Sequence, residues 1–257
     1  MGIRAAIFDF DGTLSLLRRN WQDVMIPMMV DILQATGTNE PRSDLLQHVE
    51  EYVMRLNGRQ TIYQMMQLAD EVRQRGGTPL APLDYKHQYH DLLWQRVGER
   101  VESVRSGRAA AEEMTVPGAS AMLQALSDCG LELFLASGTD LKYVQDELAV
   151  LQLDRFFGPR VYGALDDYKN FSKAMVIAQM IEDTDVAPHQ ILGFGDGFVE
   201  IEEVKKVGGL AVAVASNEET RTGINDWKRQ RLLRAGADIV IGDYQCREQL
   251  LRIIGLA

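Results

Sequence analysis

The 257-residue sequence has only two cysteines, Cys129 and Cys246, and both fall in segments that read as helical. Neither belongs to a CxxC pair or stands at the Cys/His spacing that disulfide frameworks and zinc sites show. The sequence therefore predicts neither kind of site. Both thiols are expected to pack as small apolar side chains or to lie at the surface.

Long apolar runs are also missing. No stretch approaches the roughly 18 apolar residues of a membrane-spanning helix, and Arg4, Asp9 and Asp11 stand where a secretory signal would have its apolar segment. The sequence thus predicts no membrane partner and a cytoplasmic location. With 46% hydrophobic and 25% charged residues, the composition is that of a globular chain long enough for a core domain and a smaller one.

A basic stripe is the third absence. Residues 16–108 hold 12 basic and 12 acidic side chains, so the remaining segments supply the whole net charge of −10. Nucleic-acid binding depends largely on neutralising phosphates with basic side chains, so this acidic body predicts no nucleic-acid partner. An anionic ligand would need a local cation or a metal ion to receive it.

The sequence has two regions with different predicted secondary structure. Residues 18–108 read as helices that end at Gly37, at Gly58 and at a double glycine, with an N-cap expected at Ser43 and a fourth helix from about 83 to 104. Elsewhere, near-continuous apolar strands alternate with helices, a pattern typical of a parallel sheet covered on both faces. The predicted fold class is α/β: a Rossmann-like three-layer core of residues 1–16 and 109–257, with an all-helical cap domain inserted at 17–108.

Polar residues end several of these strands. In open parallel sheets, ligands bind beyond the carboxyl ends of the strands. Asp9 and Asp11 end the first strand, Ser137 and Gly138 end the second, and Asp196 ends a later one. Asp9, Asp11 and Asp196 are expected to converge as hard oxygen ligands, which suit Mg²⁺.

These residue types also suit phosphoryl transfer. One carboxylate can attack phosphorus to give an aspartyl-phosphate, and a second, two residues on, can protonate the leaving oxygen and later deprotonate water. The Ser137 hydroxyl and the Gly138 backbone N–H would be preorganised donors to the phosphoryl oxygens. Gly12 allows a sharp turn with the backbone close to the phosphate.

The motifs in order resemble those of the haloacid dehalogenase superfamily of Mg²⁺-dependent phosphatases, in particular phosphoglycolate-phosphatase-like members with a helical cap. "DFDGT" at 9–13 resembles the first motif, "LFLASGTD" at 133–140 the second, and "GFGDGFVE" at 193–200 the fourth. The resemblance implies that Asp9 is the nucleophile, Asp11 the general acid/base and Ser137 a phosphate ligand. It also implies that Asp9, the Asp11 main-chain carbonyl and Asp196 bind the metal.

Two motif residues can be interpreted in more than one way. The third motif, a lysine opening a helix, has two candidates: Lys173 follows the N-cap residue Ser172 and lies 23 residues before Asp196, whereas Lys169 lies 27 before. The helix dipole favours an anion beside Lys173, so Lys173 is preferred. In the fourth motif Glu200 stands where many relatives have Asp, either as a direct metal ligand or as a partner of the metal's water.

The helical insertion resembles a cap that closes over the site and contacts the leaving group of the substrate. Arg18, Arg59 and Thr61 are candidate substrate contacts. The predicted function is that of a Mg²⁺-dependent phosphatase for a small phosphorylated metabolite, such as a sugar phosphate or a phosphoglycolate-like acid. Two alternatives stay open: a phosphomutase of the β-phosphoglucomutase type, and a non-catalytic sugar-phosphate sensor.

Overall fold

The structure is a computed structural model that describes residues 2–256. The chain divides into two compact units: one comprises the chain up to Arg19 and from Arg100 onward, and the other comprises Asn20–Glu99. The sequence predicts a helical insertion at residues 17–108, and these boundaries stay a prediction. Within the first unit, the Arg100 guanidinium donates to the carbonyl oxygens of Leu17 (2.6 Å) and Arg19 (3.0 Å).

The first unit contains a six-stranded parallel sheet. Its strands are β1 (Ala5–Phe8), β2 (Glu132–Asp140), β3 (Val161–Ala164), β4 (Ile191–Gly195), β5 (Leu210–Val214) and β6 (Ile239–Ile241). They lie in the order β3-β2-β1-β4-β5-β6. β1 lies at the centre, with Ala5 opposite both Glu132 of β2 and Ile191 of β4. All four residues of β1 are buried, which accounts for its continuous apolar sequence.

Helices α5–α11 belong to the same unit as the sheet. Their bounds are α5 (Ala119–Asp128), α6 (Leu141–Val150), α7 (Asp154–Phe157), α8 (Lys173–Thr184), α9 (Phe198–Val207), α10 (Asp226–Arg234) and α11 (Arg247–Ile253). Alternate residues of β1 contact different layers: Ile7 belongs to a buried cluster with apolar residues of α8, α9 and α10. Phe8 instead stacks on Phe194 (4.4 Å between ring centroids) and meets the edge of Phe157 in α7. The sheet thus has a core on each face, as the sequence predicted.

The second unit is helical. Its elements are α1 (Gln22–Gln34), α2 (Arg42–Leu56), α3 (Thr61–Gln74) and α4 (Pro82–Arg105), the last of which continues into the first unit. Met25, Met29 and Met65 are buried, and the Tyr52 hydroxyl lies 3.2 Å from the Met29 sulfur. The methionines of this insertion therefore act as core residues, a use that suits their flexible side chains.

One local prediction was wrong. Ser43 is not the N-cap of α2, because the helix already begins at Arg42 and Pro41, with its fixed φ, precedes it. Ser137 and Gly138 lie in β2, as predicted, but the strand continues past them through an irregular register to Asp140. Cys129 and Cys246 form no disulfide within the described residues. None of the described helices has the length and apolar character that a membrane crossing needs.

Candidate active site

The centre of the site is Asp9, which directly follows β1. Its backbone N–H donates to the Phe194 carbonyl (2.9 Å), so the strand geometry is maintained up to the carboxylate. The side chain is 9% exposed, and Oδ1 accepts a hydrogen bond from Lys173 Nζ at 2.8 Å. Burial raises the pKa of Asp9 well above its ordinary value, although the charge of Lys173 opposes this effect. The sequence therefore places a buried carboxylate at the carboxyl end of the central strand.

Lys173 owes its position to the start of α8. The Ser172 side chain accepts a hydrogen bond from the Met175 N–H (3.1 Å), which makes Ser172 the N-cap that the sequence predicted. Lys173 Nζ then lies 2.8 Å from both Asp9 Oδ1 and Glu200 Oε2. Burial alone would lower the pKa of Lys173, but the two carboxylates outweigh it and raise that pKa. The other candidate, Lys169, has its ammonium 5.9 Å from the Tyr168 ring centroid.

Glu200 lies in the first turn of α9 and is buried. Its Oε1 accepts the Gly197 N–H at 2.6 Å, while Oε2 pairs with Lys173. The approach is close, since a Cβ on Gly195 would lie 2.0 Å from Glu200 Cγ. A glycine at this strand end lets the longer glutamate side chain fold back towards β4.

Asp9, Asp196 and Glu200 form a candidate metal centre. One carboxylate oxygen from each lies within 4.8 Å of the others, an arrangement that could hold a metal ion. Burial raises the pKa of Asp196 as well, with Lys228 opposing it. Hard carboxylate oxygens in a buried cluster are the donors that Mg²⁺ prefers. The donor set therefore fits the cation that the sequence predicted.

Asp11 has different partners. Thr139 Oγ1 donates to its Oδ2 at 2.7 Å, and Arg18 Nε lies 3.9 Å from Oδ1. Among the residues that the structure describes, Oδ1 accepts no hydrogen bond. Burial raises the pKa of Asp11 to about 7, with Arg18 lowering it and Glu147 raising it to smaller extents. A carboxyl group of this kind exchanges protons near neutral pH.

Arg18, a predicted substrate contact, is buried and paired. Its Nε and Nη2 donate to the carboxylate of Glu147 at 3.1 and 2.6 Å, and Glu147 is fully buried on α6. The guanidinium also lies 5.7 Å from the Tyr143 ring centroid. The bidentate geometry holds Arg18 beside Asp11.

The predicted phosphate donors lie next to this group. The Ser137 hydroxyl accepts the Thr139 N–H at 3.1 Å, which leaves its own proton for donation. Gly138 follows it in β2. Gly12 has φ +72°, and a Cβ there would lie 2.2 Å from Asp196 Oδ2, so a side chain would collide with the candidate metal centre.

Arg59 and Thr61 belong to the helical unit. Arg59 precedes α3 and has its guanidinium 6.0 Å from the Tyr63 ring centroid, and Thr61 is the first residue of that helix. Their contact with a substrate stays a prediction.

The sequence analysis did not predict four residues that lie near this site: Thr139, Glu147, Glu218 and Lys228. Thr139 had a usable signal, because it directly follows Ser137 and Gly138. Lys228 had none, since it is one of several basic residues in α10, yet its Nζ lies 2.8 Å from Asp196 Oδ2 and 2.6 Å from Glu218 Oε1.

A carboxylate directly after a central parallel strand lies beside a buried lysine at the start of α8 and two further carboxylates, one after β4 and one in α9. Such an acidic centre, whose donor set fits a metal ion, is typical of an α/β enzyme. A model of the haloacid dehalogenase-like hydrolase family matches residues 3–208. The chain belongs to this family of hydrolases. Among curated proteins, no relative matches significantly.

Solved structures with the same fold cover nearly the whole chain. A hydrolase of this family from Deinococcus radiodurans, with bound phosphate and sodium, is 17% identical (TM-score 0.58, 99% of this chain and 97% of that one). A predicted phosphoglycolate phosphatase from Haemophilus somnus is 16% identical (TM-score 0.59, 96% and 97%). A β-phosphoglucomutase from Clostridium difficile is 12% identical (TM-score 0.62, 98% and 97%). At these identities the likeness is one of fold.

Proposed function

We propose that the protein is a Mg²⁺-dependent phosphatase that hydrolyses a small phosphorylated metabolite through an aspartyl-phosphate. The observation that carries the proposal is the position of Asp9, where one buried carboxylate contacts Lys173 and belongs to a cluster with Asp196 and Glu200. A nucleophilic carboxylate needs positive charge beside it, because its target is an anion, and Lys173 together with a metal ion held by the cluster would supply that charge.

In the first step Asp9 attacks phosphorus, the phosphorus–oxygen bond to the leaving group breaks, and the leaving oxygen takes a proton from Asp11. The raised pKa of Asp11, about 7, supports its role as a general acid. In the second step Asp11 accepts a proton from water as the water attacks the aspartyl-phosphate, which releases inorganic phosphate and restores Asp9.

The remaining residues hold the phosphoryl group. Lys173, the Ser137 hydroxyl and the Gly138 N–H would neutralise or bind its oxygens, and Gly12 keeps the backbone close. Asp9, the Asp11 main-chain carbonyl and Asp196 would hold Mg²⁺, which supplies positive charge to the phosphoryl oxygens when bound. Both Glu200 oxygens have partners within the protein, so we propose that Glu200 orients Lys173 beside Asp9 and contacts the metal only through its water.

The test is phosphate release from a panel of phosphorylated metabolites and from p-nitrophenyl phosphate, with Mg²⁺ and with EDTA. We expect Mg²⁺-dependent turnover, and its loss in Asp9→Asn, which keeps the size of the side chain but removes the nucleophile. Asp128→Asn, an exposed change on α5, is the matched control. Full activity in Asp9→Asn would refute the mechanism.

A phosphomutase is the second candidate, and the fold likeness to a β-phosphoglucomutase over almost the whole chain favours its inclusion. The same aspartyl-phosphate would then return its phosphoryl group to another hydroxyl. Supplying a sugar 1-phosphate separates the two, since a mutase gives the sugar 6-phosphate whereas a phosphatase gives free phosphate. Phosphate binding without any turnover would instead support the sensor alternative.

A further inference from the structure

Lys228 of α10 joins three strand ends at the candidate site. Its Nζ lies 2.8 Å from Asp196 Oδ2 after β4, and 2.6 Å from Glu218 Oε1 in the segment after β5. It also lies 3.3 Å from Ser216 Oγ, and that hydroxyl donates to the carbonyl oxygen of Gly12, after β1, at 2.7 Å. Its side chain is 9% exposed, so these contacts form away from most of the solvent.

The position of Lys228 is set locally. Asn225 is the N-cap of α10, and its side chain accepts the backbone N–H of Lys228 at 3.0 Å. The Asn225 N–H in turn donates to the Ala215 carbonyl at 2.8 Å, which anchors the helix start to the end of β5. These two hydrogen bonds fix the first turn of α10, which places the Lys228 ammonium group beside Asp196.

The charges around Asp196 explain why a second lysine is needed. The ion pairs of Lys173 and Lys228 at this site join four carboxylates and two ammonium groups: Asp9, Asp196, Glu200, Glu218, Lys173 and Lys228. With all six ionised, this set carries a net charge of −2, which one divalent cation neutralises. Without Lys228 the same set would stay at −1 after metal binding and would disfavour a phosphate ester.

We propose that Lys228 is a positioning residue that balances Glu218 and fixes Asp196, so that the metal-loaded site accepts an anionic phosphate. The inference rests on the proposed phosphatase function and adds a residue from outside the four motifs. Its distinguishing consequence is that metal affinity and phosphate affinity respond in opposite directions when the ammonium group is removed.

The experiment measures Mg²⁺ binding and then inorganic phosphate binding by calorimetry on the full-length protein. In Lys228→Met we expect Mg²⁺ to bind at least as tightly as in the wild type. Inorganic phosphate should bind about tenfold or more weakly, since an unbalanced charge a few ångströms away acts through a partly buried medium. With a substrate, KM should rise more than kcat falls.

Two further variants separate charge from structure. Lys228→Arg keeps the charge and should keep phosphate affinity. The double variant Glu218→Gln/Lys228→Met restores the charge balance and should recover most of that affinity, whereas a merely structural role predicts no recovery. Lys205→Met is the matched control. Lys205 lies on the neighbouring helix α9, and its ammonium group also pairs with a carboxylate, that of Asp238, at 2.8 and 2.9 Å.

Phosphate affinity within twofold of the wild type in folded Lys228→Met would overturn the inference, as would weaker Mg²⁺ binding or a double variant no better than the single one. Failure of the proposed function is a separate result. It would be seen as wild-type protein that releases no phosphate from any substrate, whereas the binding measurements do not require turnover.

Discussion

The raised pKa of Asp11 makes a prediction about stability as well as catalysis. A carboxyl whose pKa is 3.8 in the unfolded chain and about 7 in the folded protein binds its proton more tightly when folded. Its contribution therefore favours the folded state at acidic pH, and this stability is lost as the pH rises from about 4 through 7. Asp11→Asn, which cannot ionise, should remove this pH dependence.

The magnitude follows from the shift. About three pKa units at 1.36 kcal/mol each correspond to roughly 4 kcal/mol between the two limits of pH. Because 26% of the Asp11 side chain is exposed, solvent screens part of this cost. Between pH 5 and pH 8 we expect the free energy of unfolding of the wild type to fall by roughly 2 kcal/mol more than that of Asp11→Asn.

The assay is urea unfolding of the metal-free protein in EDTA at pH 5 and pH 8. Asp9 and Asp196 are present in both proteins, so the difference between the two proteins isolates Asp11. Asp128→Asn, whose partner is the exposed Gln124, should behave as the wild type does. If Asp11→Asn loses as much stability as the wild type between these pH values, burial does not raise the pKa of Asp11 and its assignment as a neutral-pH acid fails.

Three other changes test the site and its support. Lys173→Ala should abolish phosphate release, because Lys173 contacts both Asp9 and Glu200, while Lys169→Ala should leave it near normal. The reverse pattern in the phosphate-release assay would refute the role proposed for Lys173. Glu147→Gln removes the carboxylate that neutralises the buried Arg18, so the free energy of unfolding in urea should fall by about 3 kcal/mol. An unchanged urea midpoint would refute this. Gly193→Ala would put a methyl group 2.4 Å from a side chain of α9, and a cost of about 1–3 kcal/mol in thermal or urea unfolding is expected, whereas an unaltered stability would show that α9 can move away.

Local patterns made much of the fold predictable. Apolar runs such as Ala5–Phe8 indicate buried parallel strands because every residue of such a strand needs apolar neighbours. Ser172 indicates the start of α8 because a hydroxyl can cap the helix N–H groups, and this prediction placed Lys173 at the helix start where the structure has it. The cap at Ser43 was misjudged because a serine inside the first turn has the same sequence signature as one before it.

Pairings between distant segments could not be predicted from the sequence. Arg18 and Glu147 are 129 positions apart, and nothing in either local pattern selects the other. Lys228 likewise lies in a helix that reads as ordinary surface, and its burial depends on the path of the segment after β5. Local propensity positions each backbone element, whereas ion pairs of this kind depend on the assembled tertiary structure.

The acidic site has an energetic cost that its neighbours offset. Asp9 and Asp196 each have a raised pKa because burial disfavours the ionised carboxylate, and each is partly stabilised by a different lysine. In the metal-free protein, removing either lysine would leave a buried carboxylate without its cationic partner and raise its pKa further. A cation that binds these carboxylates must displace the protons they hold, so metal affinity and pH are linked in this protein by the same burial that positions the nucleophile. The residues that stabilise the metal-free fold are therefore the ones that prepare the site for an anionic substrate.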